Sequence, residues 1–134
     1  MHKIDKKDHR TPKWLSELRA KVVSLKKERE QLEAELMNPS KMKAGTYTVQ
    51  YRTCGNKNCR CFDKKDPFRH GPYYYLVVQN NKQGVRQKII KDKKEIELLK
   101  NYQAYNELVK RYERVNIELL EIFEKIKQKR GRSR

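Results

Sequence analysis

Leu15, Leu18, Val22, Leu25, Leu32 and Leu36 return at alternating steps of three and four residues, with only Arg29 interrupting the row. This is the a/d spacing of a helix that buries one narrow stripe, and so narrow a stripe needs a second helix laid against it. Thr11 and Pro12 supply an N-cap and a proline for the first helical position, and Asn38-Pro39 closes the segment. One helical arm is therefore expected over 12–38, with a short basic stretch, 1–11, in front of it.

The partner is the C-terminal stretch. Over 93–129, Leu98, Tyr102, Tyr105, Val109, Tyr112, Asn116, Leu119, Phe123 and Ile126 keep the same alternation, and Leu108, Val115 and Ile122 add a second row one position to the side. The wider face implies contact with the central module or with a second subunit. Asn116 within the row gives up stability and fixes register or partner number, so a homodimer through the helical seam is expected.

Between the arms, over 44–92, the period changes to two. In GTYTVQYR, tyrosines and valine alternate with threonines and glutamine, PYYYLVVQ follows as a second strand, NNKQG is a turn, and VRQKII is a third strand. The fold class that follows is α+β: a long antiparallel helical hairpin, or coiled coil, with a small three-stranded antiparallel sheet inserted. A sheet this small has too little core to stand alone and needs a helix, a metal or both.

Charge separates the same three parts. The chain carries 34 Lys+Arg against 17 Asp+Glu, a net +17. The two arms net only +1 (12–37) and +2 (93–129), whereas 40–92 holds twelve basic and three acidic residues. A basic excess concentrated on one module is the electrostatic footprint of a polyanion site, and nucleic acid is the first candidate. Candidate phosphate contacts are Arg52, Lys57, Arg60, Lys64, Lys65, Arg69, Arg86 and Lys88, with Arg130 and Arg132 in the tail 130–134. The tail's Arg130-Gly131-Arg132 resembles the core of an AT-hook but has Ser133 where that motif has proline. No apolar run nears the ~20 residues that span a bilayer, and MHKIDKKDHR lacks the apolar core of a secretory signal.

All three cysteines fall within eight residues, an arrangement unsuited to a disulfide framework and suited to metal ligation in a reducing compartment. Cys54, Cys59, Cys61 and His70 have the spacing C-x4-C-x-C-x8-H, a closed tetrahedral set of the kind structural zinc uses. A C-x-C pair reaches one ion only where the backbone bends, and His2, His9 or a second copy remain alternative sources of the fourth ligand. Three free thiols in a loop are the competing reading, and a redox role follows if one of them is a reactive thiolate.

In HGPYYYL, Pro72 is expected to open a strand after a His70-Gly71 turn. Alternation places Tyr73 and Tyr75 on one face and Tyr74 with Leu76 on the other. One set packs on the helices. The other lies beside Arg52, Arg69, Arg86 and Lys88, either as ordinary cross-strand pairs or as a stacking surface. Nothing points to catalysis: there is no glycine-rich phosphate loop, nucleophile elbow or paired-carboxylate site, and Asp63 and Asp66 read as turn-formers.

The pattern G-x-Y…Y-R-x-C-G-x-x-x-C-x-C…H-G-P-Y-Y-Y-L over Gly45 to Leu76, followed by a long helix, resembles a family of short uncharacterised prokaryotic proteins, with the likeness running from 45 to about 126. The resemblance supports Cys54, Cys59, Cys61 and His70 as a unit and implies no activity. The expectation is a non-enzymatic nucleic-acid-binding protein of the cytoplasm or nucleoid, DNA slightly favoured over RNA, built on a zinc-stabilised basic sheet. The rival is an adaptor whose arms dock on a protein partner within a nucleoprotein complex of the transposase or ribosome type.

Overall fold

A computed structural model describes residues 10–62, 69–80 and 84–132. Helix α1 (Lys13–Leu36) leads to strand β1 (Thr46–Arg52), a 3-10 turn (Arg60–Phe62), strands β2 (His70–Asn80) and β3 (Gly84–Ile90), and helix α2 (Lys93–Arg130). The α+β class and the three-stranded antiparallel sheet are as expected. The chain divides into two compact units, one of Met1–Pro39 with Asn106–Arg134 and one of Ser40–Tyr105.

In the first unit, Leu25 and Leu32 of α1 form a buried cluster with Val115, Leu119 and Ile122 of α2, flanked by half-buried Leu18, Val22, Leu108, Tyr112 and Ile126. Contacts pair early residues of α1 with late residues of α2: the Trp14 ring lies under the Lys129 ammonium at 4.7 Å, while Arg111 meets Glu28 at 3.5 Å and the Tyr112 hydroxyl donates to Glu33 at 2.9 Å. Burying each leucine contributes about 1.5–3 kcal/mol, and the exposed ion pair adds at most about 1 kcal/mol.

The α2 row differs from the expected one. The positions packed on α1 are Leu108, Tyr112, Val115, Leu119, Ile122 and Ile126, a clean four-three alternation. Val109 and Phe123 (49% exposed) fall outside it, and Asn116 is only half-buried at its edge. The two rows share Tyr112, Leu119 and Ile126, so spacing could not choose between them; α1 packs on the row with the more aliphatic residues. Ile117, Leu120 (64% exposed) and Phe123 are left facing outward.

Two helix-end expectations are corrected. Pro12, not Thr11, occupies the N-cap: its carbonyl accepts from the Leu15 and Ser16 amides, and Thr11 Oγ1 instead accepts from Arg19 at 3.5 Å. Arg130 is the last residue of α2 and not part of an extended tail; its guanidinium lies 5.6 Å from the Trp14 ring. The N-terminus of α2 has a cap that sequence reading missed. Asp92 accepts from the Lys94 amide at 3.0 Å, and Glu95 stands three residues on, the spacing of a capping box.

In the second unit the strand order is β1-β2-β3, with Val49 opposite Tyr74 and Tyr75 opposite Ile89. One face carries Tyr47, Tyr74, Leu76 and Ile90 toward the first turns of α2. A Cβ on Gly45 would lie 2.9 Å from Leu99 and 3.1 Å from Leu76, so strand and helix close directly over that glycine; Leu99 is fully buried. The Lys43 amide donates to the Leu98 carbonyl and Asn101 to the Lys41 carbonyl, tying the chain ahead of β1 to the helix. The opposite face carries Thr48, Gln50, Arg52, Tyr73, Tyr75, Gln87 and Ile89.

Pro72 is the third residue of β2, not its first. It sits where the β1–β2 register shifts between Gln50 and Arg52, a bulge at which no ladder N–H is required. Gly71 beside it has φ +138°, and a Cβ there would lie 2.8 Å from the Gln50 carbonyl oxygen. Only glycine lets β1 approach this closely next to His70.

Candidate metal centre

The Cys54–Cys61 segment turns on Asn56. Its side chain accepts from the Asn58 amide at 3.0 Å and its carbonyl from the Cys59 amide at 3.1 Å, folding the chain back within four residues. The 3-10 turn at Arg60–Phe62 then bends the C-x-C pair out of the extended form that would send its two thiols to opposite sides. This is the bend that the spacing required.

The fourth group comes from the start of β2, held by its pairing with Arg52 at the bulge. Cys59 Sγ lies 3.1 Å from His70 Nε2, Cys54 Sγ lies 3.5 Å from Cys61 Sγ, and the four ligand atoms are all within 4.8 Å of one another. Metal bonds of about 2.3 Å to sulfur and about 2.0 Å to nitrogen give tetrahedral edges of about 3.8 Å between sulfurs and about 3.5 Å between sulfur and nitrogen. The cluster is therefore within a few tenths of an ångström of a tetrahedral cage on two edges. Three close cysteines and a histidine are a set that can hold a metal ion such as zinc. The thiols are free rather than disulfide-bonded.

The electrostatics favour a charged site. The Cys61 backbone N–H donating to it, followed by the His70 ring and the other two thiols, brings the Cys59 thiol down to about 6. Burial pushes the Cys61 thiol up, as its near-complete enclosure requires, although the Cys54 backbone N–H donates to that sulfur at 3.3 Å. One thiolate is thus ready at neutral pH, and a metal would have to displace the Cys61 proton.

A cleft of about 180 Å³ adjoins the cluster on the sheet face away from α2, lined by Arg52, Thr53, Cys54, His70, Tyr73, Tyr75 and Ile89. The Arg52 guanidinium lies 4.9 Å above the Tyr75 ring and also donates to Gln50 Oε1 at 3.4 Å; Gln50 Nε2 in turn donates to Gln87 Oε1 at 2.8 Å. Sequence reading did not single out Thr53, Ile89 or the Gln50–Gln87 bridge. The strand alternation contained this information, but the register that brings β1 and β3 residues together over Tyr75 did not follow from it.

The candidate basic residues are distributed more widely than expected. Arg52 belongs to the cleft, and Lys57, Arg60 and Arg69 are exposed around the cysteine loop. Arg86 and Lys88 pair with Val78 and Leu76, so they share the face opposite Tyr73 and Tyr75 and do not lie beside them. Arg130 ends α2 in the other unit, and Arg132 is exposed just after it. Lys64, Lys65, Asp63, Asp66, His2 and His9 lie outside the described residues. Among those described, no helix is long and apolar enough to cross a membrane.

A family model described as a domain of unknown function (DUF6788) matches residues 23–101, from the middle of α1 through the sheet to the first turns of α2. The chain belongs to the DUF6788 family. The match takes in all four metal-site residues and starts well before Gly45, while it stops short of the later α2 turns that the sequence resemblance included. No curated protein and no solved structure matches the chain.

Proposed function

We propose that this DUF6788 protein is a non-enzymatic nucleic-acid-binding protein, with DNA preferred over RNA. A zinc ion held by Cys54, Cys59, Cys61 and His70 stabilises the basic sheet unit, and α1 and α2 form an antiparallel coiled-coil hairpin. The observation that carries this reading is the charge of the sheet unit. Residues 40–92 hold twelve basic residues against three acidic ones, and β1, β2 and β3 contain no Asp or Glu at all. Arg52, Lys57, Arg60, Lys64, Lys65, Arg69, Arg86 and Lys88 supply the phosphate contacts, and Arg130 at the end of α2 and Arg132 just after it add further ones. Binding of this kind is largely independent of sequence and strongly salt-dependent. The protein acts in the cytoplasm, in association with the nucleoid.

Fluorescence anisotropy with labelled DNA and RNA, titrated at increasing salt, tests this reading. With six or more phosphate contacts, affinity falls by about a thousandfold or more between roughly 50 and 200 mM salt. An affinity unchanged by salt overturns it.

The outward-facing Ile117, Leu120 and Phe123 of α2 favour a second reading, an adaptor that docks its helices on a second copy or on another protein of a nucleoprotein complex. Neutralising Arg60, Lys64 and Arg69 together separates the two, because binding to bare nucleic acid collapses only under the first.

A further inference from the structure

We infer that the cleft beside the metal site takes a single unpaired base, which makes single-stranded nucleic acid the ligand that this sheet face recognises. The inference rests on the nucleic-acid reading above and goes beyond phosphate attraction, which does not distinguish one strand from two.

Three observations converge. First, one face of the sheet is closed by α2 through Leu76, Tyr74 and Leu99, while the other holds the cleft formed by Arg52, Thr53, Tyr73, Tyr75 and Ile89. Second, the chemistry of that cleft suits a planar, uncharged heteroaromatic ring. Tyr73 stands at its edge with 37% of its surface exposed, and Ile89 is similarly exposed, so both offer apolar contact. Arg52 lies over Tyr75, its guanidinium carbon 4.9 Å from the ring centroid, and a planar guanidinium held there can offer a base both a flat surface and hydrogen-bond donors. Thr53 adds a hydroxyl that both donates and accepts. Third, size limits the guest. The cleft's volume of about 180 Å³ is below the roughly 300–1,000 Å³ of sites that enclose whole cofactors or drug-sized ligands. It suits one ring inserted edge-first, with its sugar and phosphate left outside near the exposed cations of the cysteine loop.

A duplex cannot supply that ring. Its bases are stacked and paired, and a protein reaches their faces only by unstacking them. Duplex grooves are read by an element that protrudes, such as a helix or a two-stranded ribbon, and this face is a recess. Base–aromatic stacking in single-strand sites tolerates sequence because every base has a flat face, so little base preference is expected.

The position of His70 and Cys54 gives the cleft its second role. Both line it and both belong to the metal set, so the metal fixes the wall against which the base lies.

The test compares the metal-loaded 134-residue chain with its Tyr73→Ala and Arg52→Lys variants by anisotropy, using a single-stranded DNA oligonucleotide, its RNA counterpart and a duplex of equal length. Metal content by native mass spectrometry and circular dichroism establish that each variant is folded. Tyr73→Ala weakens single-strand binding by about 5- to 150-fold, the worth of one stacked base, and shifts duplex affinity less than about twofold. Arg52→Lys keeps the charge and loses the flat surface, so it weakens single-strand binding while the salt slope stays unchanged. Equal losses on single strand and duplex, or no loss on either, overturn the base cleft and leave phosphate binding standing. Failure of the unaltered protein to bind any of the three nucleic acids overturns both.

Discussion

Along α1 and the later turns of α2, cohesion is spread over a row of side chains, each much like the next: Leu25, Leu32, Val115, Leu119 and Ile122, with five half-buried neighbours. In the sheet unit it is concentrated. Leu99, Tyr75, Ile90 and Cys61 are its enclosed apolar residues, and the Cys54–Cys61 loop is held by four groups drawn to one point. A distributed seam degrades gradually when one member is lost, whereas a loop gathered around one cluster of side chains loses several contacts at once. The contrast also separates the chemistry: the five buried residues of the seam are all aliphatic, whereas every thiol lies at the point.

If the Cys54, Cys59, Cys61 and His70 set holds a metal, removing it breaks this comparison most severely. Structural zinc in small domains supplies roughly 10–16 kcal/mol of apparent folding free energy. A strong chelator, or Cys59→Ser, is therefore expected to expose the amides of β1, β2 and β3 to rapid hydrogen exchange while those of α1 and of α2 beyond Asn106 stay protected. Simultaneous loss of protection in both regions would show that the units are not independent. Next in size is Leu119→Ala, which opens a cavity in the seam and costs about 2–5 kcal/mol, read from urea unfolding followed at the helical circular-dichroism band.

Gly71→Ala comes next in size. A methyl group there meets the Gln50 carbonyl at 2.8 Å in a backbone conformation that L-residues rarely adopt, so a cost of about 1–3 kcal/mol is expected, together with weaker metal retention in a chelator competition. Phe123→Ala is the small-effect control for the seam. If α1 packs on the Leu108–Ile126 row, loss of this half-exposed ring changes stability by less than about 0.5 kcal/mol, whereas a loss as large as that of Leu119→Ala would restore the Val109–Phe123 row. The mildest perturbation is alkylation of the metal-free protein by iodoacetamide. With its thiol near 6, Cys59 reacts at a rate that is half-maximal near pH 6 and level above it, while Cys61, its thiol raised by burial, reacts slowly at neutral pH.

Much of this architecture was written into local periodicity. The change from a three-four spacing to a two-residue spacing and back set the order of helix, sheet and helix to within a residue or two, because each period is dictated by backbone geometry alone. The cysteine set was legible for a different reason: few residue types bind metals, and four of them lay close together. What stayed hidden depends on the partner surface. The choice between the Val109–Phe123 and Leu108–Ile122 rows is made by α1 and is absent from the α2 sequence. The placement of Arg86 and Lys88 away from Tyr73 and Tyr75 is decided by register, since a shift of one residue exchanges the two faces of a strand. Pro72 was read as opening a strand because the bulge that accommodates it is formed by β1, some twenty residues earlier.

The contact between Cys59 and His70 has one further consequence, for how this sequence can vary. The spacings among Cys54, Cys59 and Cys61 are set by one Asn56 turn and one 3-10 turn, so inserting or removing a residue among them would draw a sulfur away from the set that Cys59 and His70 share.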